Sequence, residues 1–343
     1  MDNIFSGHLR PRRQPIYIIA EIGGNFVNFT EARALIDAAA ECGVDAIKLQ
    51  TYRAETVASK NAFFDMENTG VTSQYELFKK YEIDEKLHRR IFSYIDTKGL
   101  DWFSTPSHEA DVEMLEKLGV KAYKIGSDDA VNIPFLQYVA RKGKPLFLAT
   151  GMCTMGEVRE SVSAILGEGN SQLVLLHAVT SYPTHPEHVN LQAMVKMSEE
   201  FGLPTGYSDH TLETVTCVAA AALGAVVLEK HFTLDKNADG PDHVLSADPT
   251  EMKTLVRQVR LVEKILGDGV KMPAVSEKVT RINNRKSIVA ARKFAAGDKI
   301  MPGDIMIKRP GFGIAPKHYE QILGRVLARQ LEEDEIIMWK DLQ

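Results

Sequence analysis

The chain has 343 residues, more than one hydrophobic core usually carries, and its 44% hydrophobic and 25% charged residues are those of an ordinary globular protein, which excludes disorder. A formal net charge of -5, with no basic tail or arginine-rich stripe, argues against a nucleic-acid partner held by phosphate neutralisation. Cys42, Cys153 and Cys217 form no close pair and are odd in number, so no disulfide framework or zinc-knuckle spacing is present, and buried thiols in a reducing cytosol are expected.

The opening residues, MDNIFSGHLRPRRQP, lack the apolar core of an export signal. The longest apolar stretch, 218 to 228, falls short of the roughly 18 residues of a membrane span, so a cytoplasmic protein without a membrane partner is expected. From residue 16 onward, short β-branched or aliphatic runs alternate with longer segments of helical spacing, the pattern of repeated βα units. The runs are IYIIA (16 to 20), DAIKL (45 to 49), LDWFS (100 to 104), KAYKI (121 to 125), PLFLA (145 to 149), LVLLH (173 to 177), PTGYS (204 to 208) and AVVLE (225 to 229). Helices are predicted near 31 to 42, 84 to 98, 108 to 118, 132 to 142, 154 to 167, 188 to 201, 212 to 223 and 250 to 267. Gly43, Gly99, Gly119, Gly143, Gly202 and Gly224 stand where these helices should stop.

Eight such units suit a (β/α)8 TIM barrel, typically of roughly 250 residues. The rival, a doubly wound open sheet, usually carries a G-x-G-x-x-G loop after its first strand, and AEIGGNF is not one. The interval 51 to 81 is polar and aperiodic, which predicts an extended loop over the barrel mouth. These features divide the chain into a barrel domain over 1 to 267, a linker over 268 to 284 and a small β-rich module over 285 to 343. Within that module ARKFAAGDKIMPGDI and ARQLEEDEIIMWKDL repeat at an offset of 37 residues, which predicts two β-hairpin-like halves around KRPGFGI.

Active sites of such barrels gather at the carboxyl ends of the strands, so the polar residues there carry the functional reading. His210 and His231 follow strands seven and eight and could share one cation; two imidazoles suit Mn, Fe, Co or Zn, with an oxygen-rich remainder leaning toward Mn. Asp209 and Glu229 are either orienters of these ligands or salt-bridge partners at the rim. A lysine inside a barrel is costly unless an anion meets it, so Lys48 and Lys124 either face a phosphate or carboxylate substrate or pair internally with Glu21 or Glu229. A third reading makes Lys124 a Schiff-base nucleophile. Ser127, Thr150 and Ser208 suit hydrogen bonding to phosphate oxygens, and Glu21, among apolar neighbours, is a candidate proton donor or acceptor. His177 is expected to be a packed strand-end residue rather than a third ligand.

Taken in order, AEIGGN, DAIKLQ, STP, YKIGS, TGM, HAVTSYPT, GYSDHT, LEKHFTL, GPDH and KRPG resemble the sialic acid synthase family, and the tail resembles its antifreeze-like (SAF) domain. The resemblance implies that Lys48, Lys124, Ser127, Thr150 and Ser208 hold phosphoenolpyruvate and that His210 and His231 bind a divalent ion, manganese first, with magnesium or cobalt as alternatives. Glu21 and Gln50 match polar positions of the site, Tyr182 and Asp242 match positions that contact the sugar or order the site, and Arg309 matches the arginine that reaches the N-acyl group. In the family that arginine comes from the other subunit, which implies a domain-swapped homodimer. The reaction implied joins phosphoenolpyruvate to an N-acylated amino hexose, N-acetylmannosamine or a 6-deoxy diacetamido sugar, with C–O cleavage and release of phosphate. Phe26 and Asn28 depart from the family pattern, as do Asp129 and Ser181, and these departures cluster on the expected sugar side. A Schiff-base aldolase using Lys124 and a non-catalytic carbohydrate-binding protein are the rival readings.

Overall fold

Eight short apolar runs close into one parallel barrel because each is followed by a helix whose apolar stripe covers the outside of the sheet. The computed structural model describes residues 15–67 and 70–343; residues 1–14, most of the segment read above for an export signal, lie outside the described residues. The first half runs β1 (Tyr17–Glu21), α1 (Phe29–Cys42), β2 (Ala46–Thr51), α2 (Ala54–Val57), β3 (Phe63–Met66), β4 (Gly70–Ser73), α3 (Gln74–Tyr81), α4 (Glu85–Asp96), β5 (Asp101–Pro106), α5 (Glu109–Leu118), β6 (Tyr123–Ile125) and α6 (Ile133–Ala140). The second runs β7 (Leu146–Ala149), α7 (Met155–Gly167), β8 (Leu173–Ala178), α8 (Gln192–Phe201), β9 (Thr205–Asp209), α9 (Val215–Ala222), β10 (Val227–His231) and α10 (Pro249–Ile265). The closed order is β1-β10-β9-β8-β7-β6-β5-β2, with every ladder parallel.

All eight predicted strands form, most displaced a residue or two toward the carboxyl end, because polar residues such as Glu21, Asp209 and His231 stay in the ladder. Capping boxes start α7 at Thr154 with Glu157 and α10 at Asp248 with Glu251. The six predicted stop glycines all adopt positive φ, the conformation that turns a chain out of a helix without a Cβ clash. Among the described residues no helix is long and apolar enough to cross a membrane.

Inside the barrel, side chains lie in layers. Tyr17, Phe103 and Phe147 come from strands that are not neighbours, yet their rings stack at 6.4 Å (Tyr17–Phe147) and 5.0 Å (Phe103–Phe147), so they meet through the lumen and form an apolar floor. Above this floor the same inward phase of the strands brings in Glu21, Lys48, Lys124, Ser208 and Glu229. Gly206 on β9 lets its neighbour approach closely: a Cβ there would lie 2.4 Å from the Val227 carbonyl oxygen of β10 and 2.7 Å from Leu176 of β8.

The interval 51 to 81 is not a plain loop. It holds α2, the β3–β4 hairpin and α3, elements of four to eight residues, too short for periodicity to reveal. Tyr81 OH donates to the Asp239 carbonyl at 3.1 Å and His185 Nε2 lies 3.2 Å from Glu67, so this insertion is fastened to the loops that follow β10 and β8.

A second compact unit begins at Gly269. It contains α11 (Lys278–Asn283), β11 (Ser287–Ala290), β12 (Ile305–Lys308) and α12 (Tyr319–Ile322), with β11 and β12 antiparallel. The 37-residue repeat is structural. Arg292 Nε donates to Asp304 at 2.7 Å and Arg329 Nε to Asp341 at 2.7 Å, while their Nη1 groups donate to the Lys293 and Gln330 carbonyls. The equivalent residues Phe294 and Leu331 pair with each other, which puts a local two-fold axis between them. The halves are interlocked about this axis, since Gly297 N donates to Leu327 O while Asp334 N donates to Ala290 O, as one pseudo-symmetric module.

Gly206→Ala should wedge β9 from β10 and lower the stability of the barrel by about 1–3 kcal/mol, read as a reduced urea midpoint for its transition.

Candidate functional site

At the carboxyl end of the barrel, residues from β1, β2, β6, β9 and β10 form one buried charged layer. Lys124 Nζ donates to Glu229 Oε1 at 3.0 Å across the lumen, Lys48 Nζ lies 3.8 Å from the same oxygen, and Lys48 also forms a close ion pair with Glu21. Lys48 donates to Thr105 Oγ1 at 3.1 Å, Ser208 Oγ donates to Glu229 Oε1 at 2.9 Å, and the Gly23 amide donates to Glu21 Oε1 at 2.5 Å. Each of the four charged side chains is at most 5% exposed. Of the alternatives open for the lysines, internal pairing is thus present, and the layer is close to charge balance before any substrate enters.

The titrations follow from this arrangement. Burial opposes ionisation of Glu229, but the two ammonium groups outweigh it and hold the carboxyl down at about 2. Burial raises Glu21 despite Lys48, and the nearby Glu229 charge adds to the rise. Burial would lower Lys48, yet its two carboxylate neighbours carry it upward, whereas Lys124, buried and repelled by Lys48, is lowered.

Next to this layer stand the two imidazoles, with ring centroids 5.6 Å apart and ring planes at 52°. His210 Nδ1 donates to the Val179 carbonyl at 2.8 Å, which leaves the Nε2 lone pair facing the cavity, where it meets Tyr182 OH at 3.2 Å. His231 Nδ1 is buried without a hydrogen-bond partner, 3.5 Å from Asp242 Oδ2. Burial lowers His210 to about 4, and burial together with His210 lowers His231 well below its usual range, so both rings are neutral near pH 7, as metal ligation requires. Asp242 is pushed up to about 7 by burial and by Glu21. Among the described residues no three His, Cys, Asp or Glu side chains already form a metal cage. Two neutral imidazoles, one of them with an orphaned ring nitrogen, nevertheless fit a cation whose remaining positions are filled by water and substrate.

Buried polar atoms are normally paired, so unpaired ones at one location mark a place built for a ligand. Asn25 Oδ1, Thr180 Oγ1, Glu229 Oε2 and His231 Nδ1 are all buried at this end of the barrel without a hydrogen-bond partner. Asn25 escaped the sequence reading although it closes the AEIGGN motif; its Nδ2 is anchored on the Phe232 carbonyl at 2.9 Å and Ser246 Oγ at 3.0 Å, so the free oxygen has a fixed position.

The remaining predicted residues divide. Gln50 is half-buried beside Gly23, and Ser127 Oγ accepts from the Gly151 amide at 3.0 Å, with Thr180 Oγ1 close by. Thr150 does not join them: its hydroxyl donates to the Leu176 carbonyl at 3.1 Å and rests against Met197 Sδ of α8, the outward phase of the strand. Its side chain faces the helices, contrary to its expected part in holding phosphate. His177 also points outward and donates to the Val189 carbonyl at 2.7 Å, as expected of a packed residue. Asp209 pairs with Lys230 at 2.9 Å and Glu229 with the two lysines, so each forms a buried salt bridge. Arg309 is exposed in the second unit, in a loop pinned by Ser287 Oγ, which donates to the Pro310 carbonyl at 2.6 Å.

The four departures have local structural employment. Phe26 packs into the barrel core, and Asn28 caps α1 by accepting from the Glu31 amide at 3.1 Å. Asp129 accepts from Asn132 at 2.9 Å and is raised by burial to about 6, and Ser181 donates to the Pro183 carbonyl at 3.1 Å.

Residues 35–271 match the NeuB family and residues 285–343 match the SAF domain. An uncharacterised protein of Methanocaldococcus jannaschii is 43% identical over 330 residues, spanning 96% of this chain and 95% of the relative. The N,N'-diacetyllegionaminic acid synthase of Legionella pneumophila is 39% identical over 346 residues, spanning 98% and 97%. Among solved structures, the N-acetylneuraminic acid synthetase of Leptospira borgpetersenii in complex with citrate superposes with a TM-score of 0.70 at 32% identity, covering 78% of this chain and 90% of that one.

Removing one member of a buried charge cluster leaves its partners uncompensated, which typically costs about 3–5 kcal/mol. Glu229→Gln should therefore lower the unfolding free energy by roughly that amount, and Lys124→Met added to it should restore part of the loss, as a denaturant double-mutant cycle would measure.

Proposed function

The chain belongs to the NeuB family, the sialic acid synthases, and we propose that it condenses phosphoenolpyruvate with an N-acylated amino hexose to give a nine-carbon sialic-acid-type 2-keto acid and inorganic phosphate. The observation that carries this reading is the convergence of two ammonium groups and two neutral imidazoles on one barrel mouth. The lysines answer the phosphate and carboxylate of one substrate, and the imidazoles answer a Lewis-acidic cation at the aldehyde of the other. The Legionella relative, named for a diacetylated product, favours a 6-deoxy diacetamido hexose over N-acetylmannosamine as the acceptor.

In this reaction C3 of phosphoenolpyruvate forms the new bond to the aldehyde carbon of the open-chain sugar. A water oxygen adds at C2, and the bond from C2 to the bridging oxygen breaks, so that oxygen departs with phosphate. In becoming the C2 carbonyl the water oxygen loses both protons, of which the departing phosphate takes one and the former aldehyde oxygen gains the other. Glu21, biased toward uptake by burial, is the group that moves it. Lys48 and Lys124 neutralise the enolpyruvate's charges, which would otherwise repel each other; as the anion enters they exchange part of their contact with Glu229 and Glu21 for contact with substrate. The added negative charge raises Glu21 further, which couples substrate arrival to protonation. Ser127 and Ser208 supply neutral hydrogen bonds to phosphate oxygens, while Gln50, Tyr182 and Asp242 face the sugar. A divalent cation, manganese first and magnesium or cobalt as alternatives, would be held by His210 and His231 and would supply Lewis-acid polarisation of the aldehyde. Arg309 would come from the second subunit of a domain-swapped homodimer and hold the N-acyl group.

The reading is tested by phosphate release across a panel of N-acyl hexoses, with mass spectrometry of the product. Release is expected with a diacetamido hexose and is expected to vanish with chelator and in His210→Ala or His231→Ala. Borohydride trapping of Lys124 with a keto substrate, together with chelator-resistant activity, would instead establish a Schiff-base aldolase. Sugar binding without any turnover would establish a carbohydrate-binding protein.

The phase of β7 makes a sharper distinction. Ser127→Ala should raise the KM for phosphoenolpyruvate by roughly tenfold, the loss of a hydrogen bond to a charged group, whereas Thr150→Val, facing α8, should leave it within about twofold in the same steady-state assay.

A further inference from the structure

The outward phase of β9 and β10 carries a second buried ion pair, separate from the charged layer in the lumen. Asp209 and Lys230 are direct partners in the parallel ladder, with side chains 0% and 1% exposed, and Lys230 Nζ donates to Asp209 Oδ2 at 2.9 Å. Asp209 immediately precedes His210 in the chain, and Lys230 immediately precedes His231. The two residues also grip the peptide groups that leave His210: the Thr211 amide donates to Asp209 Oδ1 at 3.0 Å, and the Thr211 carbonyl accepts from Lys230. Tyr207 OH and Thr216 Oγ1, each at 3.0 Å, and Cys217 Sγ at 3.4 Å also donate to Asp209.

Stability alone does not account for such a pair, because taking two charges out of water costs about as much as their attraction returns, and apolar replacements of similar volume are often neutral or better. Its distinguishing property is geometric. It ties the end of β9 to the end of β10, immediately before each imidazole in the chain, and fixes the backbone that follows His210. We propose that Asp209 and Lys230 are positioning residues that set the 5.6 Å separation and the relative tilt of the His210 and His231 rings, so that both can face one cation. This proposal rests on the reading of those two rings as joint metal ligands.

The test is the double variant Asp209→Leu/Lys230→Met in the full-length protein, which removes both charges together so that no unpaired buried charge remains, although the donors that lose Asp209 are expected to lower the Tm. Its crystal structure should show the two rings displaced from their wild-type separation and tilt. Titration with Mn2+ followed by electron paramagnetic resonance should show affinity weakened roughly 10–100-fold. Rings that keep their wild-type geometry would overturn the proposal whatever the affinity. A wild-type protein that binds no Mn2+ would overturn the ligand reading, and the ring geometry of the variant would still decide the positioning claim. If the double variant does not fold, Thr216→Val, which removes one donor to Asp209, should weaken Mn2+ binding by roughly fivefold, and an unchanged affinity there would count against the proposal.

Discussion

The interaction on which the rest of this molecule depends is the internal exchange of charge among Lys48, Lys124, Glu21 and Glu229. Four ionisable groups have replaced what would ordinarily be an apolar layer of a barrel interior, and they are tolerable there only because each has a counter-charge within reach. The contacts of Lys48 and Lys124 with Glu229 run through the lumen between strands that are not neighbours, so they fix the width of the barrel at its carboxyl end as well as its electrostatics, while Lys48 and Glu21 pair across the adjacent β1 and β2. An empty cationic pocket would be less stable and less selective. A balanced one can exchange internal partners for those of an incoming anion, with the proton affinity of Glu21 taking up the difference.

The surrounding fold serves this layer on both sides. Below it the stacked rings of Tyr17, Phe103 and Phe147 seal the barrel against water and keep the local dielectric low, which strengthens every charge interaction above. Above it, the α2 to α3 insertion is fastened to the loops after β8 and β10. On the outer face of β9 and β10 a second buried ion pair lies directly behind the imidazoles, so that one pair of strands presents Ser208, His210, Glu229 and His231 inward while Asp209 and Lys230 bind the backbone from outside. The second unit is built on a different principle: two interlocked copies of one motif, each closed by an arginine on an aspartate.

Much of this was legible in the sequence because parallel barrels write their periodicity plainly. Eight apolar runs, helices of ordinary length and glycines at the stops specify the repeat, and polar residues following the runs specify the active end. What stayed hidden was phase. Whether a residue just past a strand turns inward or outward depends on where the ladder ends, and for Thr150, adjacent in sequence to the cavity-facing Gly151, that question went the wrong way. Partner choice was hidden too: Lys48 and Lys124 could have met a ligand or a carboxylate, and only the register across the lumen brings Glu229 to both. The short helices and hairpin between 52 and 81 lie below the length at which periodicity is readable, and Asn25 was obscured by being a neutral residue in a turn.

The central claim, that this charged layer opens to an enolpyruvyl phosphate while two imidazoles hold a cation beside it, is tested most directly by a crystal structure of the protein soaked with phosphoenolpyruvate and Mn2+. The account predicts phosphoenolpyruvate oxygens within hydrogen-bonding distance of both Lys48 and Lys124 Nζ, and the metal ligated by both His210 and His231. A ligand seated elsewhere, with the lysines still closed on Glu21 and Glu229 and the imidazoles unligated, would contradict it.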